Sequence, residues 1–532
     1  MKTQQTHTPP LSKTDIDERS RKNKQDSDEG ELHSVNPVDR TIVGKTELTA
    51  PDPAVELFER AREAQRGWMR QPVERRVRKS RMLFHELLDW REELLELLVD
   101  ETGKNGLEAR WELWKTCEEC QDIFSKAGDE LGAQRQGRWW TPGRSAQCSW
   151  QPRGVVVVVA SGFDPLQTTI APALAALIAG NAVIVVADQR APLVVQSLTN
   201  IATAAEVPEH LWSGLVGGQK MVDALADRAD AIVSYGPPAM TRRLARRQGE
   251  RMIPVLGRWT TRDVMIVLND ADIERAARAA VSGACGGAGR RRRALRRIYV
   301  QDSVVAPFVD AVVEEIGTLR KGRNGRDDPM YVGPLFDREE LETMERLVDE
   351  ASEAGARLVA GGRARPRCRG LFFEPTVLTG VEESMGIWQD DSPGPVVAIA
   401  PVQAPAEAVR RTRDGKRYGS VSIFTKNREV ARNLSHSLGS PVVGINELVC
   451  DVPASSPPVR GALDGPRDPV GADRLRHLSR RVLQVENRWS ALPNVLETHQ
   501  PRRMEKTLDK ALALVHRRGW VQKTVDAIMP GR

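Results

Sequence analysis

The sequence predicts an α/β protein with doubly wound parallel sheets, and two observations carry this prediction. Short apolar runs rich in valine and isoleucine alternate with segments whose apolar residues recur at helical spacing. This alternation runs twice along the chain, before and after about Ala276, which predicts two α/β domains. The composition, with 40% hydrophobic and 28% charged residues among 532, is typical of a globular protein with a large core.

The N-terminal region is predicted to be a polar tail followed by helices. Residues 1–34 carry almost no large apolar side chains, so we expect a disordered tail and a fold that starts near Asn36. A first helix is predicted from Asp52-Pro53, where Asp can cap and Pro can take the first turn, and its apolar series covers residues 55–68. A second long helix is predicted over residues 85–102.

The two α/β series follow. The first is predicted to contain strands at 155–159, 182–186, 214–216, 231–234 and 264–268, with helices at 168–179 and 194–205. The second is predicted to contain strands at 297–300, 357–359 and 420–424, with helices at 304–319 and 341–354. An apolar stripe in the Arg-rich tail predicts a docked C-terminal helix; it consists of Met504, Leu508, Leu512 and Val515.

Charge and cysteine content exclude several classes of protein. Lys and Arg number 78 and Asp and Glu 72, so the net charge is only +6, and no nucleic-acid partner is expected. Six cysteines are too few for a disulfide framework, and the N-terminus lacks the apolar stretch of a secretory signal, so we expect a cytoplasmic location. The apolar stretch 170–187 is broken by Pro172 and a Gly-Asn pair, so no membrane partner is expected.

No metal is expected either. The eight histidines are scattered without metal-ligand spacing. Cys117 and Cys120 have CxxC spacing, but they form a single pair on a helical stretch with no second pair or histidine partner, which argues against zinc binding or redox use.

Several blocks stand in one collinear order between Asn36 and Asn487. They read ELLELLVDETGK, APALAALIAGNAVIV, IVLNDADIERA, LRRIYV, GARLVAGGRARP, FFEPTVLTGV, GPVV, YGSVSIFTKN and GIN. In order and spacing they resemble the aldehyde dehydrogenase superfamily, and most closely its succinate-semialdehyde dehydrogenase-like branch. The resemblance implies NAD or NADP as cofactor and a homo-oligomer, either a dimer or a tetramer.

The resemblance also implies a division into domains. It implies a Rossmann-like dinucleotide-binding domain at 35–136 and 153–276, a catalytic-type α/β domain at 277–465, a bridging or oligomerisation element at 137–152 and 466–488, and a C-terminal extension with a helix at 489–532. Within the bridging element, the hairpin 137–152 would pair with a strand near 480–486.

The family's catalytic positions hold unsuitable side chains. Family members attack the aldehyde with a cysteine in a Gly-Gln-x-Cys context; here the stretch is GRRRR, and the downstream LRRIYV block fixes its register, so Arg292 takes the nucleophile's position. A guanidinium is always protonated and cannot be a nucleophile. Phe163 takes the position of the oxyanion-stabilising asparagine; in an alternative alignment Asp164 stands there, where its carboxylate would repel an oxyanion. Val255 takes the position of the general-base glutamate and cannot accept a proton.

The cofactor positions are also altered. The segment whose lysine holds the adenosine ribose in the family reads VADQ at 186–189, without the lysine. The phosphate-facing turn is Gly236 followed by two prolines, which remove two N–H donors. The nicotinamide-ribose glutamate is replaced by Asp391, a carboxylate one methylene shorter.

These replacements predict a catalytically inactive relative, that is, a pseudoenzyme with a binding or subunit role. We expect it to form a homo-oligomer or a hetero-oligomer with an active homologue. The alternative is an active NAD(P)-dependent aldehyde oxidoreductase with a displaced nucleophile. Cys285, seven residues before Arg292, is the candidate, because neighbouring arginines could lower the pKa of its thiol. The opposing interpretation of Cys285 is a small buried apolar residue.

The arginine run 290–293, with Arg296 and Arg297, is the most unusual feature. In the family this segment lies at the bottom of the substrate tunnel, where like charges need anions or carboxylates beside them. One hypothesis is that Arg292 turns the tunnel into a site for an anionic small ligand. A second is that the segment loops outward to solvent without a ligand, and a third is nucleic-acid binding, which the lack of an interleaved aromatic platform disfavours.

Overall fold

The computed structural model describes residues 30–136, 144–257, 261–319, 332–365, 370–391, 393–415, 419–440, 442–449, 472–487 and Glu505. The chain forms two units, a larger one from Met1–Gly132 and Trp150–Arg480 and a smaller one from Ala133–Ser149 and Arg481–Arg532. The predicted C-terminal helix lies outside the described residues apart from Glu505.

The N-terminal part of the larger unit contains a hairpin and four helices. The hairpin strands are β1 (Glu31–Val35) and β2 (Ile42–Glu47), and the helices are α1 (Pro51–Trp68), α2 (Val73–Asp89), α3 (Arg91–Thr102) and α4 (Gly106–Leu131). Helix α4 begins with a reciprocal capping box between Asn105 and Glu108, which fixes its first turn.

Two details differ from the sequence predictions in this region. The predicted helix 85–102 is two helices, because α2 ends and α3 begins on either side of Trp90, whose indole N–H bonds Glu86 Oε1 at 3.2 Å. Strand β1 begins at Glu31, inside the segment predicted to be disordered. Its backbone pairs antiparallel with β2, so cross-strand hydrogen bonds order a stretch that has few apolar side chains of its own.

A five-stranded parallel sheet forms the first core, in the order β7-β6-β5-β8-β9. Every side chain of β5 and β6 is buried, as expected for a sheet covered on both faces. The strands are β5 (Val155–Val159), β6 (Ala182–Ala187), β7 (Trp212–Val216), β8 (Ala231–Ser234) and β9 (Val255–Gly257); the helices are α5 (Pro165–Ala179), α6 (Pro192–Ala204), α7 (Gln219–Ala226) and α8 (Pro238–Gln248).

A seven-stranded sheet forms the second core, in the order β12-β13-β14-β11-β10-β15-β16, with only β12 antiparallel to its neighbour. Its strands are β10 (Asp263–Val267), β11 (Leu295–Gln301), β12 (Arg357–Ala360), β13 (Thr376–Thr379), β14 (Val396–Val402), β15 (Val421–Phe424) and β16 (Val443–Ile445). Its helices are α9 (Ile273–Cys285), α10 (Val305–Thr318), α11 (Arg338–Glu353), α12 (Gly386–Gln389), α13 (Pro405–Asp414) and α14 (Arg428–Leu438). Apart from β12 both sheets are parallel, which confirms the predicted fold class. The strand predicted at 264–268 was assigned to the first series, but as β10 it lies in the seven-stranded sheet, because its backbone pairs with β11 and β15.

The remaining elements are a short helix and a small sheet. Helix α15 (Asp473–His477) packs on α4 and α5 in the larger unit. The smaller unit contains most of a three-stranded sheet, in the order β17-β4-β3, made of β3 (Gln134–Gln136), β4 (Arg144–Pro152) and β17 (Ser479–Asn487). Among the described helices, none has the length and apolarity that crossing a bilayer requires.

The completely buried side chain of Glu101, in α3, connects this helix with β1 and α6. Its carboxylate accepts hydrogen bonds from the hydroxyl of Ser34 in β1 at 2.6 Å and from the backbone N–H groups of Leu193 and Val194 at 2.9 and 2.8 Å. Those two N–H groups lie in the first turn of α6, where no intrahelical acceptor is available. A carboxylate from a distant helix therefore caps α6 and ties it to β1.

We expect Glu101→Ala to lower the free energy of unfolding by about 2–4 kcal/mol, because it leaves several buried donors without an acceptor. Glu96→Ala is the matched control, since Glu96 is exposed on the same helix and should change stability by about 0.5 kcal/mol or less. Urea unfolding of both variants measures the difference. Equal stability of the two variants would show that the cap is not needed.

Candidate functional site

The arginine run lies in a tight turn between α9 and β11. A 3₁₀ turn at Gly286–Gly289 leads into it, with positive φ angles at Gly287 and Gly289. A Cβ atom at position 289 would lie 2.0 Å from the carbonyl oxygen of Gly394, so the turn packs directly against another backbone segment. The backbone N–H of Thr261 also bonds the carbonyl oxygen of Arg292 at 2.8 Å. The segment is packed into the protein, so the hypothesis that it loops outward is wrong.

Arg292 is held by two side chains of the five-stranded-sheet region. Its Nε lies 3.4 Å from Asp164 Oδ2, and its Nη2 donates to Gln167 Oε1 at 2.8 Å. The guanidinium carbon lies 5.2 Å from the ring centroid of Tyr235. Only 12% of the Arg292 side chain is exposed. The side chain predicted to stand at the nucleophile's position is thus a cation in an ion pair.

Asp164 is shared between Arg292 and a second buried cation, Lys104. Lys104 Nζ donates to Asp164 Oδ1 at 2.9 Å and also to Glu112, and both Lys104 and Glu112 are almost fully buried. Burial alone would raise the pKa of Asp164, but the charges of Lys104 and Arg292 outweigh it and hold that pKa well below its usual range. Burial lowers the pKa of Lys104, but the charges of Asp164 and Glu112 outweigh this and raise it above its usual value.

Glu112 also caps a helix. Its Oε1 accepts the backbone N–H groups of Leu166 and Gln167, at 2.9 and 3.1 Å, in the first turn of α5. Seven residues further along α4, Glu119 Oε2 accepts from Gln167 Nε2 at 3.4 Å, and Glu119 Oε1 pairs with Arg474 of α15 at 2.8 Å. A continuous polar network therefore runs from Lys104 through Asp164, Arg292 and Gln167 to Arg474.

Phe163, predicted to stand at the position of the family's asparagine, contributes an aromatic face. Lys104 Nζ lies 4.1 Å from its ring centroid, and the guanidinium carbon of Arg290 lies 4.6 Å from it. Arg290 also lies 4.2 Å from the ring of Phe336 and donates to the carbonyl oxygen of Thr102 at 2.8 Å. Two aromatic rings therefore hold Arg290 between them. A phenyl ring at 163 offers no N–H donor to an oxyanion.

Val255 and Cys285 lie in other surroundings. Val255 is the first residue of β9, pairs with Ile232 and is 5% exposed; no described contact links it with Arg292. Cys285 is the last residue of α9 and is 2% exposed within the core of the seven-stranded sheet. This burial is typical of a small apolar side chain. Catalysis by Cys285 stays a prediction.

The residues predicted to hold a cofactor are engaged within the protein. Gly236 precedes α8, whose N-cap and first position are Pro237 and Pro238, so this helix start lacks two of the backbone N–H groups that could bind a phosphate. Asp391 accepts a hydrogen bond from Arg262 Nε at 2.8 Å.

The segment in which the family has its ribose-binding lysine is occupied by an ion pair. Asp188 pairs with Arg190 at 2.8 Å, and Arg190 reaches Glu340 of α11 at 3.1 Å. Arg190 therefore links the five-stranded-sheet region to a helix of the seven-stranded-sheet region.

The helix starts that follow β5 and β6 are also occupied. Glu112 caps α5 and Glu101 caps α6, so carboxylates already stand where the helix dipoles would favour an anion. Carboxylates thus stand at the starts of α5 and α6, two prolines stand at the start of α8, and Asp391 pairs with Arg262. Among the described residues, no group of three or more His, Cys, Asp or Glu is arranged to hold a metal ion.

Sequence reasoning placed Arg292 and Phe163 but missed their partners Lys104, Glu112 and Glu119. One signal could have found the two glutamates. They lie on the buried face of α4 together with Ala109, Thr116 and Ile123, at the spacing of an apolar stripe. Carboxylates on such a face need buried cations beside them.

Similarity to known proteins covers most of the chain. The model of the "Aldehyde dehydrogenase family" matches residues 24–462. The chain is 30% identical over 422 residues to "Putative succinate-semialdehyde dehydrogenase (NADP+) 2" of Mycobacterium ulcerans, covering 77% of this chain and 80% of that protein. It is 27% identical over 417 residues to malonate-semialdehyde dehydrogenase 1 of Shouchella clausii, covering 77% and 84%.

Solved structures share the fold at lower identity. Betaine aldehyde dehydrogenase of Staphylococcus aureus in complex with NAD+ superposes with a TM-score of 0.80 at 22% identity, covering 88% of this chain and 94% of that one. An NADP-dependent enzyme of E. coli superposes with a TM-score of 0.80 at 20% identity, covering 87% and 95%.

We expect Asp164→Asn to lower the free energy of unfolding at pH 7 by about 3–5 kcal/mol, because it leaves Lys104 and Arg292 without their shared carboxylate. The pKa of Asp164 is lowered in the fold, so its stabilisation is present above the carboxyl pKa of the unfolded chain and is lost as the pH falls below about 4. Urea unfolding from pH 7 to pH 3 should therefore show the gap between wild type and variant closing in acid.

The control is Asp302→Asn, an exposed position where the same change should have little effect at any pH. A gap that stays constant from pH 7 to pH 3 would contradict the role assigned to the Asp164 charge.

Proposed function

The chain belongs to the aldehyde dehydrogenase family of NAD(P)-dependent oxidoreductases, and we propose that within it this protein is a catalytically inactive relative with a binding or subunit role. One observation carries the proposal. The side chain at the nucleophile's position is Arg292, fixed by Asp164 and Gln167. A guanidinium so held cannot attack an aldehyde carbon, and no thiohemiacetal can form from it.

The neighbouring positions support the same conclusion for different reasons. Phe163 offers no hydrogen-bond donor to an oxyanion, and losing even one such donor costs an enzyme about a hundredfold or more in rate. Val255 cannot take up a proton. Nucleophile, oxyanion donor and general base are therefore all missing from their family positions, and each loss alone would slow the reaction greatly.

We propose that NAD and NADP bind weakly or not at all. The prolines before α8, the pairing of Asp391 with Arg262 and the Asp188–Arg190–Glu340 ion pairs support this part of the proposal. The M. ulcerans relative carries NADP+ in its name and the S. aureus structure contains NAD+, so weak binding here would separate this chain from proteins that it otherwise resembles.

We propose an oligomeric cytoplasmic protein, either a homo-oligomer of two or four chains or a hetero-oligomer with an active homologue. The strand β17 supports a contact role for the three-stranded sheet, because it exposes two apolar side chains, Leu483 at 54% and Val485 at 62%. In a hetero-oligomer the inactive chain would supply an interface and leave the chemistry to its partner.

The second candidate function is an active aldehyde oxidoreductase that uses Cys285. The observation in its favour is position: Cys285 directly precedes the Gly286–Gly289 turn, from which the arginine run follows. Its burial opposes the idea, because an attacking thiolate needs access to the aldehyde.

We further propose that an anionic small ligand binds at Arg292. The supporting observation is that Arg292 Nη1 is buried and has no hydrogen-bond partner among the described residues.

We expect purified protein to form no NADH or NADPH above the enzyme-free rate when it is incubated with succinate semialdehyde and a panel of other aldehydes. Absorbance at 340 nm measures this directly. Wild type and Cys285→Ala should give the same null result, and a known aldehyde dehydrogenase should show turnover in the same buffer. Turnover by wild type that Cys285→Ala abolishes would instead establish the second candidate.

Cofactor binding is tested separately by thermal unfolding with NAD and NADP. A ligand present at a hundredfold excess over its dissociation constant stabilises the native state by about 2.7 kcal/mol, which raises the unfolding midpoint clearly. We expect no rise at millimolar cofactor. A clear rise would refute the proposed loss of the dinucleotide site while leaving the activity result to stand alone.

A further inference from the structure

A second positively charged region lies away from Arg292, at a cavity of about 420 Å³ between β11 and helices α12 and α13. Arginines dominate its charged wall. The charged residues that line it are Arg262, Arg297, Arg410, Arg411, Glu383 and Asp414, four cations against two carboxylates. The volume lies within the range of small-molecule sites.

The carboxylates in the wall are already engaged with two of the arginines. Arg411 Nε donates to Glu383 Oε1, and Arg411 Nη1 also lies 3.5 Å from Glu407. Asp414 lies 3.8 Å from Arg410 across one helical turn at the exposed rim. Arg262 and Arg297 form the rest of the charged wall, and Arg262 pairs with Asp391, which is not among the lining residues.

Arg262 is the buried cation best placed to receive a ligand. Its side chain is 9% exposed and makes one hydrogen bond, from Nε to Asp391 Oδ1 at 2.8 Å. Among the described residues, its two terminal nitrogens have no hydrogen-bond partner, although the side chain lines the cavity. Donors that no protein group uses are available to an acceptor that enters the cavity.

Arg297 adds a second buried charge behind the first. It is 2% exposed, and it donates to two neutral carbonyl oxygens, those of Trp388 at 3.2 Å and Gly415 at 3.0 Å. Burial and the nearby charge of Arg262 lower its pKa to about 10. The indole N–H of Trp388, in the same wall, is also buried without a partner among the described residues. The cavity therefore combines two buried cations and further unused donors.

We propose that this cavity is an anion site that takes a small phosphate-bearing metabolite, with phosphate oxygens accepting hydrogen bonds from the terminal nitrogens of Arg262 and from Arg410 at the rim. A phosphate monoester carries close to two negative charges at pH 7 and several acceptor oxygens, which suits paired guanidinium donors. The cavity is larger than a phosphate ion, so the organic part of a monoester has room beside it. The site uses none of the residues of the Arg292 network, and its existence does not depend on whether the protein is an enzyme.

The test is calorimetric titration of the full chain with inorganic phosphate and, separately, with glycerol 3-phosphate, against sodium chloride of equal ionic strength. Both phosphates should bind, and tighter binding of the monoester would identify the phosphate as part of a metabolite. Arg410→Gln should weaken binding about threefold or more, since it removes a charge-assisted hydrogen bond at the rim. The matched control is Arg413→Gln, on the same helix, exposed and outside the cavity wall, which should leave affinity unchanged.

The stricter variant is the pair Arg262→Gln with Asp391→Asn, which removes the buried cation without leaving its carboxylate unpaired. It should weaken phosphate binding about tenfold or more while the unfolding midpoint without phosphate stays within a few degrees of wild type. The proposal is overturned if neither phosphate binds beyond the chloride control, if Arg413→Gln weakens binding as much as Arg410→Gln, or if the folded double variant binds like wild type. None of these outcomes bears on the dehydrogenase assay, so the two proposals fail separately.

Discussion

The Arg292–Asp164 ion pair is the interaction on which the rest of the site depends. A guanidinium buried among packed strands is stable only if a carboxylate pairs with it. Asp164 forms this ion pair with Arg292 and a second one with Lys104. Lys104 in turn meets Glu112, which caps α5, the helix that begins directly after Asp164. The four charges balance two against two. Removing one member would leave a buried charge uncompensated, so the network persists as a whole.

This network gives the residues at the predicted catalytic positions a structural role. Side chains that would have to move, ionise or contact a substrate during catalysis are instead fixed by one another and by aromatic rings. Arg290 lies between Phe163 and Phe336, and Arg190 links Asp188 to Glu340. Both contacts join parts of the chain that belong to different sheets. These charged side chains thus link the two sheet regions.

The sequence predicted the fold well because strands and helices in this chain are encoded locally. β5 and β6 are unbroken apolar runs, and they are buried on both faces as such runs require. The prediction failed where non-local pairing decides the structure. Strand β1 has few apolar residues and is ordered by its pairing with β2. The break between α2 and α3 at Trp90 was also missed, because the helical spacing of apolar residues continues across it.

The site shows the same division. The alignment of the sequence blocks predicts that Arg292 and Phe163 stand at the family's catalytic positions. It does not predict which carboxylate pairs with the arginine. Lys104 and Glu112 lie about 180 or more residues earlier in the chain, and only the packing of α4 against α5 brings them there. The internal carboxylate Asp164 was therefore not foreseen as a partner of Arg292.

The side chains at the predicted catalytic positions also fit one another. Arg292, predicted to stand at the nucleophile's position, pairs with Asp164, which directly follows the position predicted for the oxyanion-binding asparagine. Phe163, predicted at that position, presents its ring to Lys104 and Arg290. Independent loss of reacting groups would leave cavities or unpaired charges, each costing about 1 kcal/mol or more. A set of side chains whose charges and shapes complement one another is instead what a structural role requires, and this is the physical basis on which we propose that the chain does not use the site for catalysis.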